Sequence, residues 1–337
     1  MRPTREGSRF LLATLLIGLA SFNTGNNLIY LIFAMMTAIL AASFLLLWLN
    51  LRGLGIHVNV NAPVFAAWDT LAVITITNPR RLLPAYSLRI GFPDGIAGEG
   101  FLAHVPAGGS AVVSVPVSFP KRGVVRYSDF TAASTFPFIF FTGSRRLRSA
   151  GEVLVYPEIK ELPPVDMAAG AHGGQAGMRK GKGDELLSIR AYREGDDMKH
   201  VHWKATARAG SVMVREFAEE APSTLTIVLD NTLPAEGDVF ERAVSYAASL
   251  AWKMTVDEGF FVSLVTCNRR LPFGNGLEQV YRILDHLAVI EPQDSWDCPM
   301  PKEGGFEGMS VLVHASERSA LRYHASEFDM VIHAASL

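Results

Sequence analysis

Hydrophobic and polar positions follow three different rhythms along the chain. From Phe10 to Leu51 there is no charged residue. As a single helix that run would measure about 63 Å, twice the roughly 30 Å hydrocarbon core of a bilayer. Ser21-Phe22-Asn23-Thr24-Gly25-Asn26-Asn27 is a polar, glycine-containing break within it. The pattern therefore predicts a hairpin of two transmembrane helices over residues 9–51, with a shorter span near Arg9–Phe22 and a longer one near Leu28–Leu49. Arg2, Arg5 and Arg9 flank the first span, Arg52 follows the second, and Arg80 and Arg81 lie farther on. The turn carries no charge, so the positive-inside rule places both ends in the cytoplasm. A cleaved signal peptide, with Gly18 and Ala20 before Ser21, is the competing reading.

After Gly53 the period changes to two. Ile56, Val58 and Val60 alternate with polar residues, and Leu71 to Thr77 is rich in β-branched side chains before Asn78-Pro79. Leu88-Arg89-Ile90 leads into the turn Phe92-Pro93-Asp94-Gly95. Val112, Val113, Val115 and Val117 form another strand, which Pro116 assigns to an edge. Strands at this spacing, with turns between them and no helical period, predict a small Ig-like β-sandwich over residues 54–158. The dense cluster Phe136 to Phe141 reads as core or domain boundary, or as a ligand or membrane contact.

Residues 159–183 read as a flexible linker: Gly170 to Gly183 holds six glycines together with Arg179, Lys180 and Lys182. A phosphate-binding loop is excluded, because Gly183 rather than Ser or Thr follows Lys182. Next comes Arg190-Ala-Tyr192-Arg193-Glu-Gly195-Asp196, and then His202-Trp203-Lys204-Ala-Thr206-Ala-Arg208. Two readings fit this stretch. One is an ion-pair and aromatic network that closes a domain edge. The other is an anion- or partner-binding surface built on Arg190, Arg193, Lys204 and Arg208. His200 and His202 share a face only on a strand and lack further ligands at zinc spacing.

In the last third, apolar strands alternate with a helical period. Leu225 to Leu229 ends in Asp230; Phe240, Ala243, Val244, Ala247, Leu250, Ala251 and Met254 recur at helical spacing. Phe260 to Thr266 is a second buried strand, and Leu277, Val280, Tyr281, Leu284 and Leu287 mark a second helix. Val311-Leu312-Val313 and Met330-Val331-Ile332 are short strands. Residues 184–337 thus predict an α/β domain with a parallel sheet, whose ligand position is the carboxyl end of its strands, where Asp230 stands.

Composition narrows the function classes. The 337 residues carry 31 basic and 33 acidic side chains, so no global basic field points to nucleic acid. Mean hydropathy is +0.21, which the apolar N-terminal run accounts for. Cys267 and Cys298 cannot form a disulfide framework.

The strand ending in Asp230-Asn231-Thr232-Leu233-Pro234 before a helix resembles the opening of a von Willebrand factor A-type domain. In that family Asp-x-Ser-x-Ser, with residues from later loops, holds a divalent cation. The resemblance implies Asp230 and Thr232 as metal ligands, for Mg²⁺, in a degraded site. Pro234 replaces the second serine, and His314-Ala315-Ser316-Glu317 lacks the expected aspartate. No other cofactor is implied.

Several features together resemble the domain of unknown function 58 family of bacterial membrane proteins. They are Asn26-Asn27-Leu28-Ile29-Tyr30; Arg122-Gly123 followed by Pro137-Phe138; Val155-Tyr156-Pro157; and Arg190-x-Tyr192-x-x-Gly195-Asp196 followed by His202-Trp203-x-x-Thr206-Ala207-Arg208. The resemblance implies a multi-pass protein of the bacterial inner membrane with its soluble domains in the cytoplasm. It implies as partners a MoxR-type AAA+ ATPase and a transglutaminase-like membrane protein. The function it implies is a non-enzymatic, membrane-anchored adaptor that presents a von Willebrand factor A-like domain to the ATPase or its client. A metal-dependent hydrolase, or an envelope-complex subunit, with a cation site at Asp230 is the alternative. Against the hydrolase, no nucleophile–base pair stands out in the sequence.

Overall fold

The structure is a computed structural model that describes residues 1–163, 179–193, 198–219, 223–232, 237–293, 306, 308–315 and 320–336. It divides into two compact units, residues 1–158 with 285–289, and residues 159–284 with 290–337.

The first unit opens with a helical hairpin. Helix α1 spans Arg5–Thr24 and α2 spans Asn27–Leu51. Their connection is built from local chemistry. Gly25 adopts the left-handed conformation that ends α1, and its N–H bonds the Ser21 carbonyl. Asn26 caps α2, its side chain accepting from the Leu28 N–H at 2.8 Å. The helices approach at Gly18, where a Cβ would come within 2.7 Å of the Phe33 ring. Among the described helices, α2 is the one long and apolar enough to cross a membrane. Arg5, Glu6 and Arg9 occupy the first turns of α1 and shorten its apolar part.

Two sheets follow. Strands β2 (Gly55–Val60), β4 (Asp69–Thr77) and β7 (Ser110–Ser118) form one, with β7 and its Pro116 at the edge as expected. In the other, β1 (Arg2–Pro3), β9 (Phe141–Tyr156), β8 (Gly123–Ser134), β5 (Ala85–Gly91) and β6 (Glu99–Val105) lie side by side, and β3 (Val64–Phe65) pairs with β9. Ile74, Ile76, Val115 and Val117 from the first sheet share one core with Leu88, Ile90, Phe130 and Leu147 from the second. That is the inward set which period-two alternation requires.

The hairpin is tied to these sheets by specific bonds. Asn50, 3% exposed at the end of α2, donates to the Tyr86 carbonyl and the Ser134 hydroxyl and accepts from the Tyr86 N–H. The Arg80 guanidinium bonds the Leu49 and Asn50 carbonyls, placing a cation at the negative end of α2. Partial burial there pulls the pKa of Arg80 below its usual value. The aromatic cluster splits in two. Phe140 stacks on Phe10 and Phe141 meets Phe44 edge-on, while Phe138 and Ile139 stay exposed. Ile139 has φ +61°, a strained value for a β-branched residue.

The second unit contains a five-stranded sheet in the order β14 (Arg270–Gly274), β13 (Phe261–Val265), β12 (Thr224–Asp230), β15 (Met309–His314), β16 (Met330–His333). All pairs are parallel except β13 with β14. The central strand β12 is buried almost throughout, which explains its continuous apolar run. Helix α4 (Gly237–Trp252) buries Phe240, Ala243, Val244, Ala247 and Ala251. Helix α5 (Gly276–Val289) is fastened by buried Gln279, whose amide donates to the Val262 and Pro272 carbonyls. Residues 164–178 of the expected linker lie outside the described residues, and residues 179–183 open a strand.

Candidate functional site

Two places collect the sequence-nominated residues. The first is a small module. Strands β10 (Arg179–Ala191) and β11 (Met213–Glu219) pair antiparallel, with Arg190 opposite Val214 and Ala191 opposite Met213. Between them lie a short 3₁₀ turn, Met198–His200, and helix α3, Trp203–Ala209. Gly210, with φ +66°, ends α3.

His202 and Thr206 hold this module together. The Nδ1 of His202 caps α3 by accepting from the Ala205 N–H at 3.0 Å, which puts the proton of a neutral ring on Nε2. The Thr206 hydroxyl donates to the His202 carbonyl and accepts from the Met213 N–H at 2.9 Å, joining α3 to β11. The His202 N–H donates to the Met213 carbonyl, and buried Val201 and Val214 form a bridge beneath.

The other signature side chains face outward. Trp203 is 69% exposed, and Met198 and Tyr192 are also exposed. Arg193, Lys199, Lys204 and Arg208 are exposed too. Arg190 is partly buried and donates from Nη1 to the Ala191 carbonyl. Gly195 and Asp196 lie outside the described residues. The Trp203 ring is thus not part of a buried network. His202 and Thr206 cap α3 and tie it to β11, so the ring of the intervening residue is left in solvent.

The second place is the carboxyl edge of the parallel sheet. Asp230 is 2% exposed. Its Oδ1 accepts from the Thr232 N–H at 2.9 Å and from the Thr232 hydroxyl at 2.7 Å, so the two nominated cation ligands bond each other. Strand register aligns Asp230, His314 and His333 in one row across β12, β15 and β16. The His314 and His333 rings lie 4.7 Å apart. Sequence reasoning named His314 only as the start of a loop without the expected aspartate and passed over His333, although each closes a short apolar strand as Asp230 does: Val-Leu-Val-His314 and Val-Ile-His333. These nitrogen donors do not suit Mg²⁺, which takes oxygen ligands. Among the described residues, no group of three or more His, Cys, Asp or Glu could hold a metal ion. Pro234, Ser316 and Glu317 lie outside the described residues.

Asn231 has a plain structural task. Its Oδ1 accepts from the buried Cys267 N–H, its amide donates to the Glu291 carbonyl, and its own carbonyl accepts from the Gln293 N–H. Removing the side chain leaves two backbone groups without these partners, at about 1–3 kcal/mol each. Asn231→Ala is thus expected to lower unfolding free energy by about 3 kcal/mol, read from a urea titration of the full chain. A loss below about 1 kcal/mol would show that water replaces both bonds.

Residues 188–328 match the family described as "Protein of unknown function DUF58". The DUF58 region takes in the α3 module and most of the parallel sheet. The chain is 28% identical over 105 residues to "Uncharacterized protein YeaD" of Bacillus subtilis (strain 168), covering 30% of this chain and 25% of that protein. The chain therefore spans about a quarter of that relative's length. Among solved structures, a GH20 exo β-N-acetylglucosaminidase from Vibrio harveyi in complex with N-acetylglucosamine aligns over 62% of this chain and 29% of that one. Its TM-score is 0.21 at 11% identity.

Proposed function

We propose that the chain is a non-enzymatic adaptor of the bacterial inner membrane. In this reading the hairpin of α1 and α2 crosses the membrane twice and both soluble parts face the cytoplasm. The first is an Ig-like β-sandwich and the second a von Willebrand factor A-like domain. The DUF58 region engages a MoxR-type AAA+ ATPase or its client, beside a transglutaminase-like membrane protein.

The observation that carries the reading is the outer face of the α3 module. It exposes Trp203, Tyr192 and Met198, and Lys204 and Arg208 of α3 are exposed as well, while His202 and Thr206 hold the backbone. Exposed aromatics on a braced backbone, together with exposed charge, are the composition of a protein-binding patch. The exposed Lys204 and Arg208 suit an acidic partner surface.

The membrane part has its own support. Helix α2 has 25 residues, about 38 Å of helix against a core of roughly 30 Å. The α1 side chains Leu11, Leu12, Leu15, Leu16, Leu19 and Phe22 are exposed. Such apolar surface is costly in water and favourable in lipid.

The test is a titration of the full chain, in detergent micelles, with a purified MoxR-type ATPase at low and high salt. Saturable binding that weakens about tenfold at high salt is expected, because screening removes the charge attraction. Failure to bind at either salt, with and without ATP, would overturn the proposal.

A further inference from the structure

Strand β9, outside the matched residues 188–328, carries a second cationic feature. Phe141, Gly143, Arg145 and Leu147 share one face of it by alternation. Gly143 and Leu147 are buried, and a Cβ on Gly143 would meet the Leu51 side chain at 3.1 Å and the Leu47 side chain at 3.5 Å. The strand thus lies directly against α2. Arg145 has the same inward parity and yet is exposed. It lines an open cavity of about 540 Å³ together with Phe44, Trp48, Leu51, Arg52 and Ser144.

Phe44 and Trp48 stand four residues apart on one face of α2, and Arg52 follows as its C-cap. The Arg52 guanidinium lies over the Trp48 ring, 4.6 Å from its centroid, which holds it at the cavity. The cavity is therefore two-ended in character. Two guanidinium groups and a hydroxyl supply anion donors, and none of its described lining residues is acidic. Phe44 and Trp48 supply an aromatic wall that continues into the exposed apolar surface of α2 at Leu45 and Leu46.

We propose that this cavity binds the phosphodiester headgroup of an anionic phospholipid, with the acyl chains lying along the Phe44 face of α2. The proposal rests on the reading of α2 as a membrane span. A phosphate matches the two guanidinium forks, and a tryptophan at the end of an apolar span sits at headgroup depth. A soluble phosphate would use the cations and leave the aromatic wall without a partner. Two cations near an anionic surface correspond to about a thirtyfold preference over a zwitterionic lipid.

The full chain is reconstituted in vesicles of phosphatidylcholine and dibrominated phosphatidylglycerol, mixed about four to one so that the anionic lipid is the minority species. The paired sample carries the bromines on the same fraction of phosphatidylcholine. Quenching of Trp48 is read as the difference between the wild-type chain and Trp48→Phe. The expected result is several-fold greater quenching by the brominated anionic lipid, lost in the Arg52→Gln/Arg145→Gln variant. Equal quenching by both lipids in the wild-type chain would overturn the headgroup site while leaving the membrane span intact. No quenching by either would overturn the span and the site with it. If soluble glycerol phosphate removes the excess quenching, the cavity is a soluble-phosphate site and the proposal falls. The wild-type comparison alone decides the matter if the double variant does not fold.

Discussion

Trp203→Ala is expected to weaken binding of the proposed ATPase partner about thirtyfold or more and to leave the melting temperature unchanged. The ring is 69% exposed, so folding gains little from it. Surface substitutions of this kind usually shift stability by less than about 0.5 kcal/mol. At an interface the balance reverses. A central tryptophan that becomes desolvated against a partner commonly contributes about 2 kcal/mol or more, a factor of roughly 30 in Kd. The contrast with Thr206→Ala, three residues along the same helix, separates docking from folding. Thr206 bonds the His202 carbonyl and the Met213 N–H, so its loss is expected to lower stability by about 1–3 kcal/mol. Full-affinity binding by Trp203→Ala would remove α3 from the interface.

The second large effect is Gly7→Ala. In most helices alanine is better than glycine by about 1 kcal/mol. Here the sign is expected to reverse. A Cβ on Gly7 would stand 1.8 Å from the Phe140 carbonyl oxygen, a backbone atom that cannot swing away. The same stretch carries the Thr4 cap, the Thr4 hydroxyl bond to the Ile139 carbonyl and the Phe10–Phe140 stack, so a shift of α1 disturbs all three. A loss of about 3 kcal/mol or more is expected, which lowers the first melting transition of the detergent-solubilised chain by roughly 6–12 °C. An unchanged or raised transition would mean that α1 packs elsewhere.

Much of the fold was legible because its determinants are local. The break at Gly25-Asn26 declares itself through cap chemistry, and the alternation at Ile74–Ile76 and Val115–Val117 declares strands with one buried face. Asp230 was found by the logic of parallel sheets. The features that escaped reading depend on distant pairing. His314 and His333 become neighbours of Asp230 only through the register of β15 and β16. Arg145 reaches its cavity only because Gly143 lets β9 lie on α2. The signature motif misled in one respect. Its density of charge and its tryptophan suggested a buried network, whereas the braces are backbone bonds to His202 and Thr206, and the ring between them points to water.

The central claim is that a membrane-held chain offers its DUF58 region to an ATPase. Crosslinking the intact protein in its native membrane, with and without ATP, followed by affinity capture and mass spectrometry, tests it most directly. The account predicts recovery of an AAA+ ATPase crosslinked through Lys199 or Lys204, close in sequence to the exposed Trp203. Crosslinks confined to the two helices, or joining envelope enzymes to the first unit alone, would contradict it.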